Sequence, residues 1–166
     1  MKHLKLIASC LAFVLFGVAV AMFAVSFLDQ VTSGVLNGRE SWGNGFDILK
    51  SDLDASNKLG TIFALVFIGL GVLASCYAVF VALTKGNKKS KKSDKTAKLL
   101  CACCTFVLCG VVPAVLLFLT KQTTGVGLDV NAGILGGTKT TLGAGAIMAA
   151  IFSVVGAGSL AVAELN

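Results

Sequence analysis

Charged side chains are scarce in this chain, and in four long stretches they are absent altogether. Asp, Glu, Lys and Arg make up 13% of the 166 residues. The stretches 6–28, 59–84, 99–120 and 140–163 contain none of them, and no histidine. Ionisable groups inside a membrane mark proton relays and ion pathways, so their absence argues against a pump or a proton-coupled transporter. Histidine occurs once, as His3, next to the N-terminus. A Ser-His-Asp or Cys-His site therefore lacks a base within the apolar body of the chain. Segments 29–58 and 121–139 hold no cysteine and no Asn-x-Ser/Thr sequence, which leaves no disulfide and no N-glycan there.

What is present is apolar length. Hydrophobic residues make up 56% of the chain, and each uncharged stretch exceeds the roughly 20 helical residues that cross a bilayer core. The expected fold is an all-α membrane protein: one four-transmembrane-helix bundle, with spans at 6–28, 59–84, 99–120 and 140–163. Its first span could be mistaken for a signal peptide, since Met1-Lys-His-Leu-Lys5 is basic and Ala19-Val-Ala21 resembles a cleavage site. The apolar run continues to Leu28, beyond an ordinary signal core, and is read as a retained span.

The charge that exists is unevenly placed. Nine of the 14 basic residues lie at Lys2, Lys5 and in the loop 85–98, which alone has seven lysines. Short basic loops stay in the cytoplasm. Both termini and that loop are expected inside, with net charge +7, and segments 29–58 and 121–139 outside, with net charge −1. Lys88, Lys89, Lys91 and Lys92 are expected to contact anionic lipid headgroups. Without aromatic interleaving or a folded platform, the loop does not read as a nucleic-acid site.

The outer segments suggest a small extracytoplasmic cap of short strands and one amphipathic helix. Val31–Leu36 and Val130–Leu135 read as strands, the first followed by an Asn37-Gly38 turn. The segments 31–38 and 130–137 share four of eight residues. A duplicated hairpin and a chance match of common residues both account for this. Phe46, Leu49 and Leu53 fall at helical spacing, and Trp42 precedes them. Trp42 and Phe46 are expected to interact at the outer interface, where an amphipathic ring is accommodated. The acids Asp29, Glu40, Asp47, Asp52, Asp54 and Asp129 are interleaved with Lys and Gly and read as a solvated face.

Small residues recur at helical spacing within the spans: Ala8 and Ala12, Gly17 and Ala21, Gly71 and Ser75, Gly110 and Ala114, Gly145 and Ala149. They let helix backbones approach closely. Gly17, Gly71, Gly110 and Gly145 are taken as helix-packing positions. Pro113 is expected to kink the third span. Cys101-Ala-Cys-Cys104 contains a C-x-x-C spacing but runs on as a span. Thiols there behave as small apolar residues, with S-acylation as the alternative in a eukaryotic host. Metal ligation would need thiolates and a fuller donor shell.

The layout, four spans with a longer first outer segment, resembles that of claudin-like tetraspan proteins. Claudins carry a tryptophan and a cysteine pair in that segment; this chain has Trp42 and no cysteines. The functional expectation is an integral plasma-membrane structural or interaction protein, assembling with itself or a membrane-protein partner. The alternative is a small oligomeric transporter or channel subunit. No catalytic, metal or cofactor residue is assigned and no enzymatic activity is expected. The absence of outer cysteines and sequons points to a bacterial host.

The charge split generates a topology prediction. Reporter fusions at Ser90 and Asn166 should both read as cytoplasmic. An external Asn166 with an internal Ser90 would show that the last two spans are miscounted.

Overall fold

The computed structural model describes residues 2–25, 28–32, 38–41, 43–50, 55–84, 95–123 and 138–165. The described chain is predominantly helical. Four helices are long and apolar enough to cross a membrane, at His3–Ala24, Leu59–Thr84, Thr96–Leu119 and Ala144–Leu165. Helix α1 spans Lys2–Ala21 and tightens into a 3₁₀ turn at Met22–Ala24. The short α2 is Gly45–Lys50, and α3 runs over Ala55–Thr84. The third span is built from α4, Lys95–Phe106, and α5, Val112–Thr123. Helix α6 is Ala144–Leu165.

Two expected span boundaries need correction. The first span ends near Ala24, not Leu28. The Val25 N–H donates to the Met22 carbonyl, Val25 is extended, and Leu28 already belongs to a strand. The fourth span begins at Ala144, because 138–142 is also extended. In both places apolar or β-branched residues continue beyond the helix, so composition alone does not mark its end.

A short sheet joins the helix ends. It contains β1, Leu28–Thr32, β2, Gly38–Ser41, and β3, Thr138–Leu142, in the order β2-β1-β3. Both pairings are antiparallel; Asp29 faces Ser41 on one side and Thr141 on the other. Of the expected strand Val31–Leu36, Val31 and Thr32 fall in β1. Residues 33–37 and 130–135 lie outside the described residues. The pairing forms directly at the helix ends, where the antiparallel spans have already brought the two segments together and loop closure adds little entropy.

Of the expected amphipathic helix 46–53, residues 46–50 are helical in α2, and 51–54 lie outside the described residues. Its start is set by a reciprocal cap. The Asp47 N–H donates to Asn44 Oδ1 at 2.9 Å, and the Asn44 N–H donates to Asp47 Oδ2 at 3.3 Å. Gly43 precedes it with φ +113°, a conformation that favours glycine.

Small residues form the seams of the bundle. The buried faces are Ala8, Ala12, Phe16 and Ala19 on α1, and Thr61, Ala64, Ile68 and Ser75 on α3. Helix α6 buries the broadest face, including Ala146, Ala149, Ala150, Gly156, Ala157 and Leu160. It packs against α1, α3, α4 and α5 and is the hub. Large side chains such as Leu73, Tyr77, Phe80 and Phe118 are exposed around the outside, as lipid permits.

Cysteine pairs should report the sheet. In a cysteine-free protein, Asp29→Cys with Thr141→Cys, or Gln30→Cys with Thr140→Cys, should form a disulfide, since facing residues in an antiparallel pair are about 4.5–5.5 Å apart. Failure of both pairs would remove the β1–β3 ladder.

Candidate functional site

Of the four glycines expected at helix contacts, two meet a neighbouring helix directly. A Cβ on Gly71 would stand 2.5–2.8 Å from three ring atoms of Phe16, which is fully buried. A Cβ on Gly110 would meet the Ala157 Cβ at 2.8 Å and the Val154 Cα at 3.4 Å. Gly145 is buried on α6. Gly17 is exposed, with nothing within 4 Å of where its Cβ would lie. The same spacing rule thus selects interior and exterior positions alike, because it carries no information about which face is turned inward.

The third span is interrupted between its halves. Val107–Val111 forms a π turn, and the Val112 N–H reaches back five residues to the Val107 carbonyl. Pro113 lies just beyond. It lacks an N–H, and its ring would collide with the carbonyl of Cys109 in a regular helix. The wide turn absorbs that conflict. It also buries Cys109 and Gly110 against α6. The sequence marked the kink, but not its form.

One ionisable group is drawn into a helix seam. Helix α6 continues to Leu165, so Glu164 sits in its last turn and not beyond the span. The Thr105 hydroxyl lies 3.1 and 3.2 Å from the two Glu164 carboxylate oxygens, and 2.9 Å from the Cys101 carbonyl. Its single proton is shared among these acceptors. The expectation of spans without ionisable residues is corrected accordingly: His3, Lys5, Lys98 and Glu164 all fall within the span limits, each near an end. Sequence reading missed Glu164 because the apolar run stops at Ala163, one residue short.

Three buried serines in the spans serve their own helices. Ser9 donates to the Lys5 carbonyl, Ser75 to Val72 and Ser153 to Ala150, at 2.8–2.9 Å. All three serines are fully buried. All six cysteines are unpaired thiols, with Cys109 buried and Cys10, Cys76, Cys101, Cys103 and Cys104 exposed. Among the described residues, no group of three or more His, Cys, Asp or Glu side chains could hold a metal ion.

At the strand end of the bundle, Phe46 is exposed on α2 and its ring stands 6.2 Å from that of Phe23, tilted by 51°. A Cβ on Gly45 would lie 2.7 Å from the Phe23 ring, so glycine lets α2 settle onto the end of the first span. Trp42, Lys88, Lys89, Lys91 and Lys92 lie outside the described residues. No protein-family model, curated protein or solved structure matches the chain.

The contacts separate interior from exterior glycines. Gly71→Leu and Gly110→Leu should each destabilise the protein in detergent by about 1–3 kcal/mol, the usual cost of overpacking a filled seam. Gly17→Leu should melt at the wild-type temperature. Wild-type melting of both interior variants would mean that these seams open without cost.

Proposed function

We propose that the chain is an integral plasma-membrane structural or interaction protein that assembles with itself or with a membrane-protein partner. Both termini and the lysine loop face the cytoplasm, and the sheet with α2 forms the extracytoplasmic cap. The host is bacterial, the spans belong to a tetraspan layout, and the protein is not an enzyme. The supporting observation is the self-contained polarity of the bundle: the hydroxyls of Ser9, Ser75 and Ser153 are spent on carbonyls of their own helices. A solute path needs polar groups that face each other across a space.

Assembly would use the apolar exterior. Between α5 and α6 lies an apolar groove of about 350 Å³, lined by Ala114, Phe118, Ile147, Ala150, Ile151 and neighbouring valines. Its small floor and branched rim suit a helix seated by packing. The alternative reading, an oligomeric transporter or channel subunit, draws its support from the Thr105–Glu164 pair at the α4–α6 seam, because ionisable groups within a span are by default functional.

In-membrane chemical cross-linking decides the first reading. Homo-oligomeric bands, or one constant partner band, are expected from native membranes at low reagent concentration. Monomer alone at every concentration would reject assembly. Water-soluble maleimide labelling of single cysteines along one face of a span would favour the transport reading instead.

A further inference from the structure

The two halves of the third span are held very differently. Helix α5 packs along α3 and also touches α6 and β3. Helix α4 packs along α6, and no other helix makes a comparable contact with it. On α4, Ala102 is buried and Phe106 half-buried, with the Phe106 ring 3.8 Å from where a Cβ on Gly158 of α6 would lie. Leu99, Leu100, Cys101, Cys103 and Cys104 are exposed. In lipid the exposed leucines neither favour nor oppose the docked position, because the surrounding hydrocarbon is as apolar as they are. Helix α4 is therefore held from one side.

Between the halves lies a joint. Regular helix bonds run four residues back, but the Val112 N–H reaches the Val107 carbonyl, and Pro113 has no N–H to give. Backbone short of regular bonds bends at lower cost than an intact helix, and π turns recur at functional sites. A polar contact stands on the α4 side of this joint. The Thr105 hydroxyl lies 2.9 Å from the Cys101 carbonyl, one turn farther from the joint, and 3.1 and 3.2 Å from the two carboxylate oxygens of Glu164. Packing and this hydrogen bond both tie α4 to α6. Of the two, only the hydrogen bond is lost outright by a small displacement.

We infer that α4 is a hinged arm: it pivots about Val107–Val111, and Thr105 with Glu164 is the latch that holds it on α6. Release takes the hydroxyl donor from Glu164 and the Phe106 ring from Gly158. A carboxylate and a small-residue position are thus uncovered together at the α4–α6 seam, while α5 stays on α3. The arm is a property of the span itself and rests on neither the assembly reading nor the transport reading.

Spin-label distances test this in the full-length protein, freed of its other cysteines and reconstituted in lipid vesicles. One label sits on α6 at Val155→Cys, and the other on α4, at Leu100→Cys or at the native Cys104. A control pair joins Val115→Cys on α5 to Leu73→Cys on α3; all these positions are exposed. Thr105→Val keeps the side-chain volume and removes the donor. It should raise the fraction of displaced α4–α6 distances about threefold, equivalent to roughly 0.6 kcal/mol, the common value of one hydrogen bond between helices in a membrane. Glu164→Ala should act alike, and the control pair should keep its wild-type distance in both variants. A pivot at the joint moves Leu100→Cys farther than Cys104, because it lies about 6 Å farther along the helix. Adding Pro113→Ala to Thr105→Val restores an N–H at the joint and should return the displaced fraction toward the wild-type value. Wild-type distances in both latch variants would overturn the latch. Equal shifts at the two α4 labels, a shift of the control pair, or displacement unchanged by Pro113→Ala would overturn the joint, since sliding, general loosening or fraying of α4 would then account for the motion.

Discussion

The bundle depends on how closely its helix backbones can approach. In lipid, an exposed leucine gains nothing by moving inward, so helices are held by dense contact and not by escape from solvent. Dispersion between two atoms is weak and falls quickly with distance, so many atoms must touch at once. Helix α6 meets that condition with a buried face made largely of glycine and alanine. The Gly110–Ala157 contact and the Phe16 ring against Gly71 are the same device in two forms, one of backbone against methyl and one of ring against backbone. Bulky residues are then left on the outside, which is where they are found.

The π turn follows from the same demand. Pro113 forbids a regular helix through the third span, and a widened turn restores backbone hydrogen bonding at the cost of a local change in phase. The two halves of the span therefore serve different neighbours: α4 lies along α6, and α5 lies mainly along α3. The widest point of the turn presents Gly110 to α6, where a larger residue would push the helices apart. Just before the turn, Thr105 near the end of α4 meets Glu164 of α6, giving the seam a polar contact. A carboxylate at a helix C-terminus opposes the helix dipole, and hydrogen bonding from another helix offsets that cost.

The spans were legible in the sequence because lipid imposes a long, uncharged run that little else in protein chemistry requires. Their ends were less legible. Leu28 continues an apolar run after the helix has stopped, and Glu164 continues the helix after the apolar run has stopped. The β1–β3 ladder was not legible for a related reason. β-branched residues at Val31–Leu36 and Val130–Leu135 signal extended backbone, but the ladder forms where the helices hold two segments together. Among the glycines, spacing picked out Gly71, Gly110 and Gly17 alike and could not distinguish them. Which face of a helix turns inward depends on the neighbouring helices, and Phe16, whose ring fills the space at Gly71, carries no small-residue signature.

Two kinds of exterior cleft result from one packing rule. Where a small residue faces a ring or a methyl, helices close; beside Cys10 and Cys76 they leave an apolar cleft. The α5–α6 groove lies away from the basic end and is purely apolar, so a protein helix and a lipid chain compete for it on packing alone. The α1–α3 cleft lies in the other half of the bundle, nearer the start of α1 and the end of α3. Packing makes both clefts, and their depth along the helices differentiates them.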